Sequence, residues 1–160
     1  MAGIGRILDC NQLVGERTTS QILETWKDGI FLKKEDITRN SKGLRSPQIG
    51  AIYATLSHWE ISADPATVVM PTGTGKTEVM LSLLIAASCY KTMIVVPTDA
   101  LRTQISNKVA SLGLLGDPQF DLIKETVLKP IVGVMSHRPC SAEEAIAFME
   151  QCNVVVTTIS

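Results

Sequence analysis

From position 66 onwards, the chain alternates short apolar runs with longer stretches in which apolar residues recur every three or four positions. The short runs predict strands and begin at Ala66 ("ATVVM"), Thr92 ("TMIVV"), Ile131 ("IVGVM") and Asn153 ("NVVVT"). The longer stretches predict helices, with apolar positions at Val79, Met80, Leu83, Leu84 and Ala87, then Leu101, Ile105, Val109 and Leu112, then Ala145, Ile146 and Met149. Strands that are buried on both faces and alternate with helices predict an α/β fold with a parallel sheet.

Two more helices are predicted upstream of this alternation. The first ends near Gly29, and its apolar face carries Ile22, Leu23, Trp26 and Ile30. The second begins with Ser46 as its N-cap and Pro47 in the first helical position, and its apolar stripe is Ile49, Ile52, Leu56 and Trp59. The segment "KKEDITRNSKG" is expected to be a loop, and "GLLGDPQFDLIKETVLKP" a loop with a short helix. Ser141 and Glu144 have capping-box spacing at the start of the last helix.

Composition narrows the class of protein. The chain has 160 residues, enough for one domain, and 45% of them are hydrophobic against 19% charged, which is typical of a globular protein. The net charge of −1 lacks the basic excess of a dedicated nucleic-acid coat protein. The sequence has no membrane-span pattern and no secretory signal, so a cytoplasmic location is expected. The cysteines have no metal-ligand spacing; they are Cys10, Cys89, Cys140 and Cys152.

The segment "MPTGTGKT" carries the most specific chemistry in the chain. Gly73 and Gly75 can adopt positive φ, which lets backbone N–H groups curl around phosphate oxygens. The next helix starts near Lys76 and presents its positive dipole end to the same anion. Lys76 would reach the β- and γ-phosphates, and the Thr77 hydroxyl would bind Mg²⁺, as in a Walker A loop. The alternative is an ordinary glycine-rich turn between a strand and a helix.

Four segments in order resemble superfamily 2 helicases of the DEAD/DEAH type, in their restriction-type and repair-type branch. "LRSPQIGAI" resembles the element that places a glutamine against adenine. "MPTGTGKT" resembles the first motif, with Met70 where the general Walker A pattern has its first glycine. "VVPTDALRTQ" resembles motif Ia, and "VVVTTIS" resembles motif Ic. The resemblance implies a P-loop NTPase fold, in which residues 44–160 form an incomplete RecA-like first lobe and residues 1–43 a helical extension.

The resemblance also implies cofactors and site residues. Lys76 and Thr77 are the expected catalytic residues, with ATP and Mg²⁺ as cofactors and Thr77 as the magnesium ligand. Gln48 is the expected reader of adenine, because an amide can pair with both N6 and N7 of the base. The nucleotide-binding set is Arg45, Gln48, Pro71, Thr72, Gly73, Thr74, Gly75, Lys76, Thr77 and Glu78. The nucleic-acid set is Pro97, Thr98, Arg102, Thr157 and Thr158.

Each of these residues has a simpler interpretation when it is taken alone. Gln48 could be a polar residue of a first helical turn, and Arg102 could lie on the solvent face of its helix. Thr157 and Thr158 could finish a strand. The ordered series of four motifs is what favours a functional role for all of them.

By this resemblance, the chain is expected to be the ATP-binding N-terminal portion of a nucleic-acid-dependent ATPase, either a helicase or a translocase. The L-R-x-x-Q form favours DNA over RNA as its partner. The family's acidic second motif and second RecA-like lobe are not in the sequence, so ATP binding without stimulated turnover is expected of these 160 residues. The alternatives are a nucleotide-binding remnant that complements a partner chain, and a small-molecule kinase on a P-loop fold.

Overall fold

A single four-stranded sheet organises much of the chain in the computed structural model, which describes residues 3–11 and 17–159. Its strands are β1 (Gly5–Leu8), β2 (Thr92–Val96), β3 (Val132–Met135) and β4 (Val154–Thr158). The order across the sheet is β1-β3-β4-β2. β4 runs parallel to both β2 and β3, which confirms the predicted parallel arrangement for these three strands. β1 pairs antiparallel with β3 and was not predicted, so the sheet is mixed.

Five α-helices and one short 3₁₀ helix accompany the sheet in the described residues. They are α1 (Thr19–Trp26), α2 (Ser46–Ile61), α3 (Lys76–Ala86), α4 (Asp99–Ser111), the 3₁₀ helix (Gly113–Gly116) and α5 (Ala142–Glu150). α5 begins as predicted, because the Ser141 hydroxyl accepts a hydrogen bond from the Glu144 N–H at 3.2 Å. Among the described residues, no helix combines the length and the apolar character needed to cross a membrane.

The chain divides into two compact units. The sheet unit comprises residues 1–25, 89–112 and 128–160, and the loop unit comprises residues 26–88 and 113–127. Valines of β3 and β4 are buried in the sheet unit together with Val109 of α4 and Phe148 of α5. Gly133 allows close packing there, since a Cβ at this position would lie 2.8 Å from both the Cys152 Sγ and the Phe148 ring. The largest side chains buried in the loop unit are Trp26, Leu44, Ile52, Leu81, Ile85, Leu115 and Leu122.

The prediction of a strand at "ATVVM" is wrong. Ala66 to Met70 form no helix or strand, and Val68 and Val69 are 44% and 88% exposed. Valine is frequent in strands, and this segment contains two valines, but a strand also needs a neighbouring strand to complete its hydrogen bonds. No strand pairs with this segment within residues 3–11 and 17–159.

Three smaller differences concern element boundaries and burial. α1 ends at Trp26 rather than near Gly29. Just after its end, the Gly29 N–H donates to the Trp26 carbonyl at 2.9 Å. Arg45 is the N-cap of α2, so Ser46 is already helical and Pro47 occupies the second position. β2 is an edge strand and is not buried on both faces as predicted, because Met93 and Val95 are each about half exposed.

Candidate functional site

The phosphate loop, residues 71–75, leads directly into α3. Gly73 and Gly75 have φ values of 81° and 83°, in the left-handed region that glycine adopts without a Cβ penalty. The Pro71 carbonyl closes a turn across the loop, accepting from the Thr74 N–H at 3.4 Å and from its hydroxyl at 2.7 Å. Lys76 is the first residue of α3. The loop therefore has both features on which the predicted phosphate grip depends: positive-φ glycines and an immediately following helix.

The Lys76 ammonium is held inside the loop itself. Its Nζ donates to the Pro71 carbonyl at 2.9 Å, and the residue is exposed. A phosphate oxygen would be a stronger acceptor than this carbonyl, because its negative charge adds Coulomb attraction to the ammonium. Lys76 is thus available to an anionic ligand at the cost of one loop hydrogen bond.

The Thr77 hydroxyl, which is the predicted Mg²⁺ ligand, lies in the first turn of α3 next to Glu78. Both residues are partly exposed. In the described part of the chain, no three His, Cys, Asp or Glu side chains are grouped so that they could hold a metal ion. Thr77 is the donor that the sequence predicts for Mg²⁺, and its position at the start of α3 fits that role.

Gln48, the predicted adenine reader, is buried and already hydrogen-bonded at both ends of its amide. Its Oε1 accepts from the Arg45 N–H at 2.7 Å, and its Nε2 donates to the Gly75 carbonyl at 3.2 Å. The side chain of Arg45 reaches the same loop, with Nη1 donating to the Gly73 carbonyl at 3.3 Å. The structure therefore brings Arg45 and Gln48 onto the phosphate loop, through backbone carbonyls.

A second group of predicted residues meets at the carboxyl ends of β2 and β4, and we call it the strand-end cluster: Pro97, Thr98, Arg102, Thr157 and Thr158. The parallel register pairs Val96 with Thr158, so the two strands end side by side. Thr98 follows β2 and caps α4, its hydroxyl accepting from the Leu101 N–H at 3.3 Å. Segments separated by about sixty positions in the sequence are thus placed together by the sheet.

Arg102 ties the strand-end cluster together. Its Nη1 lies 3.0 Å from the Asp99 Oδ1 and donates to the Thr158 hydroxyl at 3.5 Å. The side chain is only 13% exposed, and its buried Nε has no hydrogen-bond partner among the described residues. Asp99 was not expected to have this role, although its spacing of three residues from Arg102 on one helix is a signal for such an ion pair.

The two predicted sets lie in different compact units. Arg45, Gln48 and residues 71–78 belong to the loop unit, and the strand-end cluster belongs to the sheet unit. Within each unit, the fold brings together residues that are far apart in the sequence.

Comparison with known proteins decides the family. The model of the family described as the type III restriction enzyme, res subunit, matches residues 41–160. The chain belongs to this family. Res-subunit membership implies a superfamily 2 helicase-like domain that depends on ATP and acts on nucleic acid, which confirms the resemblance seen in the sequence. The matched range contains all four sequence motifs. No curated protein and no solved structure matches the chain.

Proposed function

We propose that this chain binds ATP and Mg²⁺ through the phosphate loop and α3, as the ATP-binding part of a nucleic-acid-dependent helicase or translocase that acts on DNA. The observation that carries the proposal is the loop conformation. Two glycines at positive φ are followed at once by a helix whose first residue is Lys76. Backbone N–H groups and a helix N-terminus together form a site for phosphate.

Within this proposal, Lys76 binds the β- and γ-phosphates and Thr77 binds Mg²⁺. The cation would neutralise charge on the phosphate oxygens. Gln48 and Arg45 would bind the nucleotide beside the loop, and their hydrogen bonds to the Gly75 and Gly73 carbonyls, which hold them next to it, support this role. Met70, at the position of the first Walker A glycine, is buried with 8% exposure.

The nucleic-acid side of the proposal rests on the strand-end cluster. Threonine hydroxyl groups hydrogen-bond readily to phosphate, and such contacts fix the position of a nucleic acid without reading its bases. Arg102 would hold the Thr158 hydroxyl in place for such a contact. Thr157 and Thr158 are partly exposed at the end of β4. The preference for DNA and the cytoplasmic location remain predictions from the sequence.

The proposal is tested by titrating ATP with Mg²⁺ into the wild type and Lys76→Ala by calorimetry. We expect wild-type binding, and a loss of about 1.5–3 kcal/mol in the variant because a charge-assisted phosphate contact is removed. Lys124→Ala is the matched control, since it removes an exposed lysine of the same unit. Equal ATP affinity in wild type and Lys76→Ala, with both folded, would exclude the loop as the binding site.

A further inference from the structure

The phosphate loop enters α3 through an unusual helix start. Gly75 is the N-cap of α3, with φ 83° and ψ 46° instead of the extended conformation that most N-caps adopt. Glycine also has no side chain that could accept a hydrogen bond from the first helical N–H groups. The conformation on which the phosphate grip depends is therefore not fixed by Gly75 itself.

Gln48 contributes a contact at this position. The Gly75 carbonyl accepts from the Val79 N–H at 3.3 Å, which is the first hydrogen bond of α3, and also from the Gln48 Nε2 at 3.2 Å. The amide packs directly against the glycine, since a Cβ at Gly75 would collide with the Gln48 Nε2. The carbonyl that begins α3 is thus held from two sides.

Gln48 is itself immobilised at its other end. Its Oε1 accepts from the Arg45 N–H at 2.7 Å across the first turn of α2, and the residue is 6% exposed. Arg45 adds a second tie through the Gly73 carbonyl at 3.3 Å. The first turn of α2 therefore holds the loop at both positive-φ glycines, through backbone carbonyls and before any ligand binds.

We propose that Gln48 is a positioning residue for the phosphate loop, which sets the loop conformation so that polyphosphate binding depends on Gln48 whether or not a base is attached. This inference rests on the proposed function. An amide has two N–H groups and two oxygen lone pairs, so one donor and one acceptor remain for adenine. Base recognition and loop positioning are then two roles of the same side chain.

The probe that separates these roles is inorganic tripolyphosphate, which has the phosphates of ATP and no base. Calorimetry with Mg²⁺ would compare ATP and tripolyphosphate on the wild type, Gln48→Ala and Gln48→Met. We expect tripolyphosphate affinity to fall by about three- to tenfold in both variants, the factor that corresponds to one hydrogen bond. Gln48→Met keeps the side-chain length, so it distinguishes the lost hydrogen bonds from an empty space.

Ile52→Val is the matched control for a general loss of stability. Ile52 is fully buried in α2, and this substitution typically costs about 0.5–1.5 kcal/mol of stability. We expect Ile52→Val to bind tripolyphosphate like the wild type. If tripolyphosphate affinity stays at the wild-type value in the Gln48 variants, or falls equally in Ile52→Val, the inference is overturned. A loss of ATP affinity alone would make Gln48 a reader of adenine only.

Amide hydrogen exchange in the ligand-free protein tests the inference even if the proposed function fails. We expect the amides of residues 73–79 to exchange faster in Gln48→Ala than in wild type and Ile52→Val. A wild type that binds neither ATP nor tripolyphosphate would reject the proposed function, whereas unchanged exchange in Gln48→Ala would reject the positioning role.

Discussion

The phosphate loop and the strand-end cluster obtain their geometry in different ways. In the loop, adjacent residues supply the backbone conformation, namely two glycines at positive φ, a turn closed by the Pro71 carbonyl and a helix that begins at the next position. The first turn of α2 adds hydrogen bonds to the Gly73 and Gly75 carbonyls. In the cluster, the parallel pairing of β2 with β4 aligns Val96 with Thr158 across the sheet. A site of the first kind should respond to changes in backbone freedom, and a site of the second kind to changes in side chains that bridge distant segments.

Backbone freedom is tested most strongly by replacing the two loop glycines, and here we expect the largest effect. An alanine at positive φ costs roughly 1–2 kcal/mol by itself. Gly73→Ala should cost about that much, because its Cβ would meet nothing within 4 Å. Gly75→Ala should cost more, because its Cβ would also collide with the Gln48 Nε2. Chemical denaturation of both variants measures the difference in unfolding free energy.

A double variant makes this comparison sharper. In the Gln48→Ala background the collision is removed while the strain at φ 83° remains, so the cost of Gly75→Ala should fall towards that of Gly73→Ala. The cost of Gly73→Ala should not change in that background. Equal costs for both glycines in the wild-type background would show that the amide does not pack against Gly75 as described.

Bridging by a side chain is tested by Arg102→Ala, for which we expect a smaller effect than for the loop glycine variants. Titrations with a DNA duplex at several salt concentrations should show a severalfold weaker affinity. The slope of log affinity against log salt should change by much less than the value of about 0.9 that one lost phosphate contact gives. The reason is that Arg102 is 13% exposed and is engaged by Asp99 and Thr158.

Arg6→Ala is the charge-matched control for Arg102→Ala, because Arg6 is an exposed arginine of the same unit. Thr158→Val should weaken binding as well, and the double variant with Arg102→Ala should lose less than the sum of the two single losses. A slope change close to one phosphate contact for Arg102→Ala would assign Arg102 to direct backbone binding instead.

The two regions also differ in how far the sequence predicts them. The positive φ of the two glycines and the start of α3 are predictable from "TGTGK", because only glycine adopts positive φ without a Cβ penalty. The apolar runs of β2, β3 and β4 predict strands correctly. "ATVVM" has a similar apolar composition and is not a strand, because pairing depends on a neighbour that composition does not reveal. The hydrogen bonds from Gln48 and Arg45 to the loop carbonyls could not be predicted from the sequence either, since they depend on the position of α2 beside the loop.

Helix faces were predicted less well than helix positions. α3 and α4 were placed correctly, yet Leu101 is 37% exposed and Ala87 lies beyond the end of α3. α3 is apolar around most of its circumference, with Leu81, Leu84 and Ile85 all buried, so periodicity alone does not select a single buried face. Trp59 belongs to the predicted apolar stripe of α2 and is 46% exposed.

The smallest expected effect is a pH dependence of stability that comes from the cysteines, all four of which belong to the sheet unit. Burial raises the pKa of the Cys89 and Cys152 thiols above the ordinary value of 9.0. Above pH 9 the unfolded chain therefore loses these protons before the folded chain does. The unfolded state then binds fewer protons, and stability should fall as pH rises through this range and be unaffected by these thiols below it.

Amide hydrogen exchange measured at pH values on either side of 9 would show which residues lose stability, once the rates are corrected for the intrinsic effect of pH on exchange. We expect the protection of β3 and β4 to decline, while residues 73–79 change little, since the loop unit contains no cysteine. Cys152→Ala should remove part of the decline, and Cys140→Ala should not, because Cys140 is exposed. An equal loss of protection in both units would mean that they unfold as one cooperative body, and would contradict an effect of the thiols that is confined to the sheet unit.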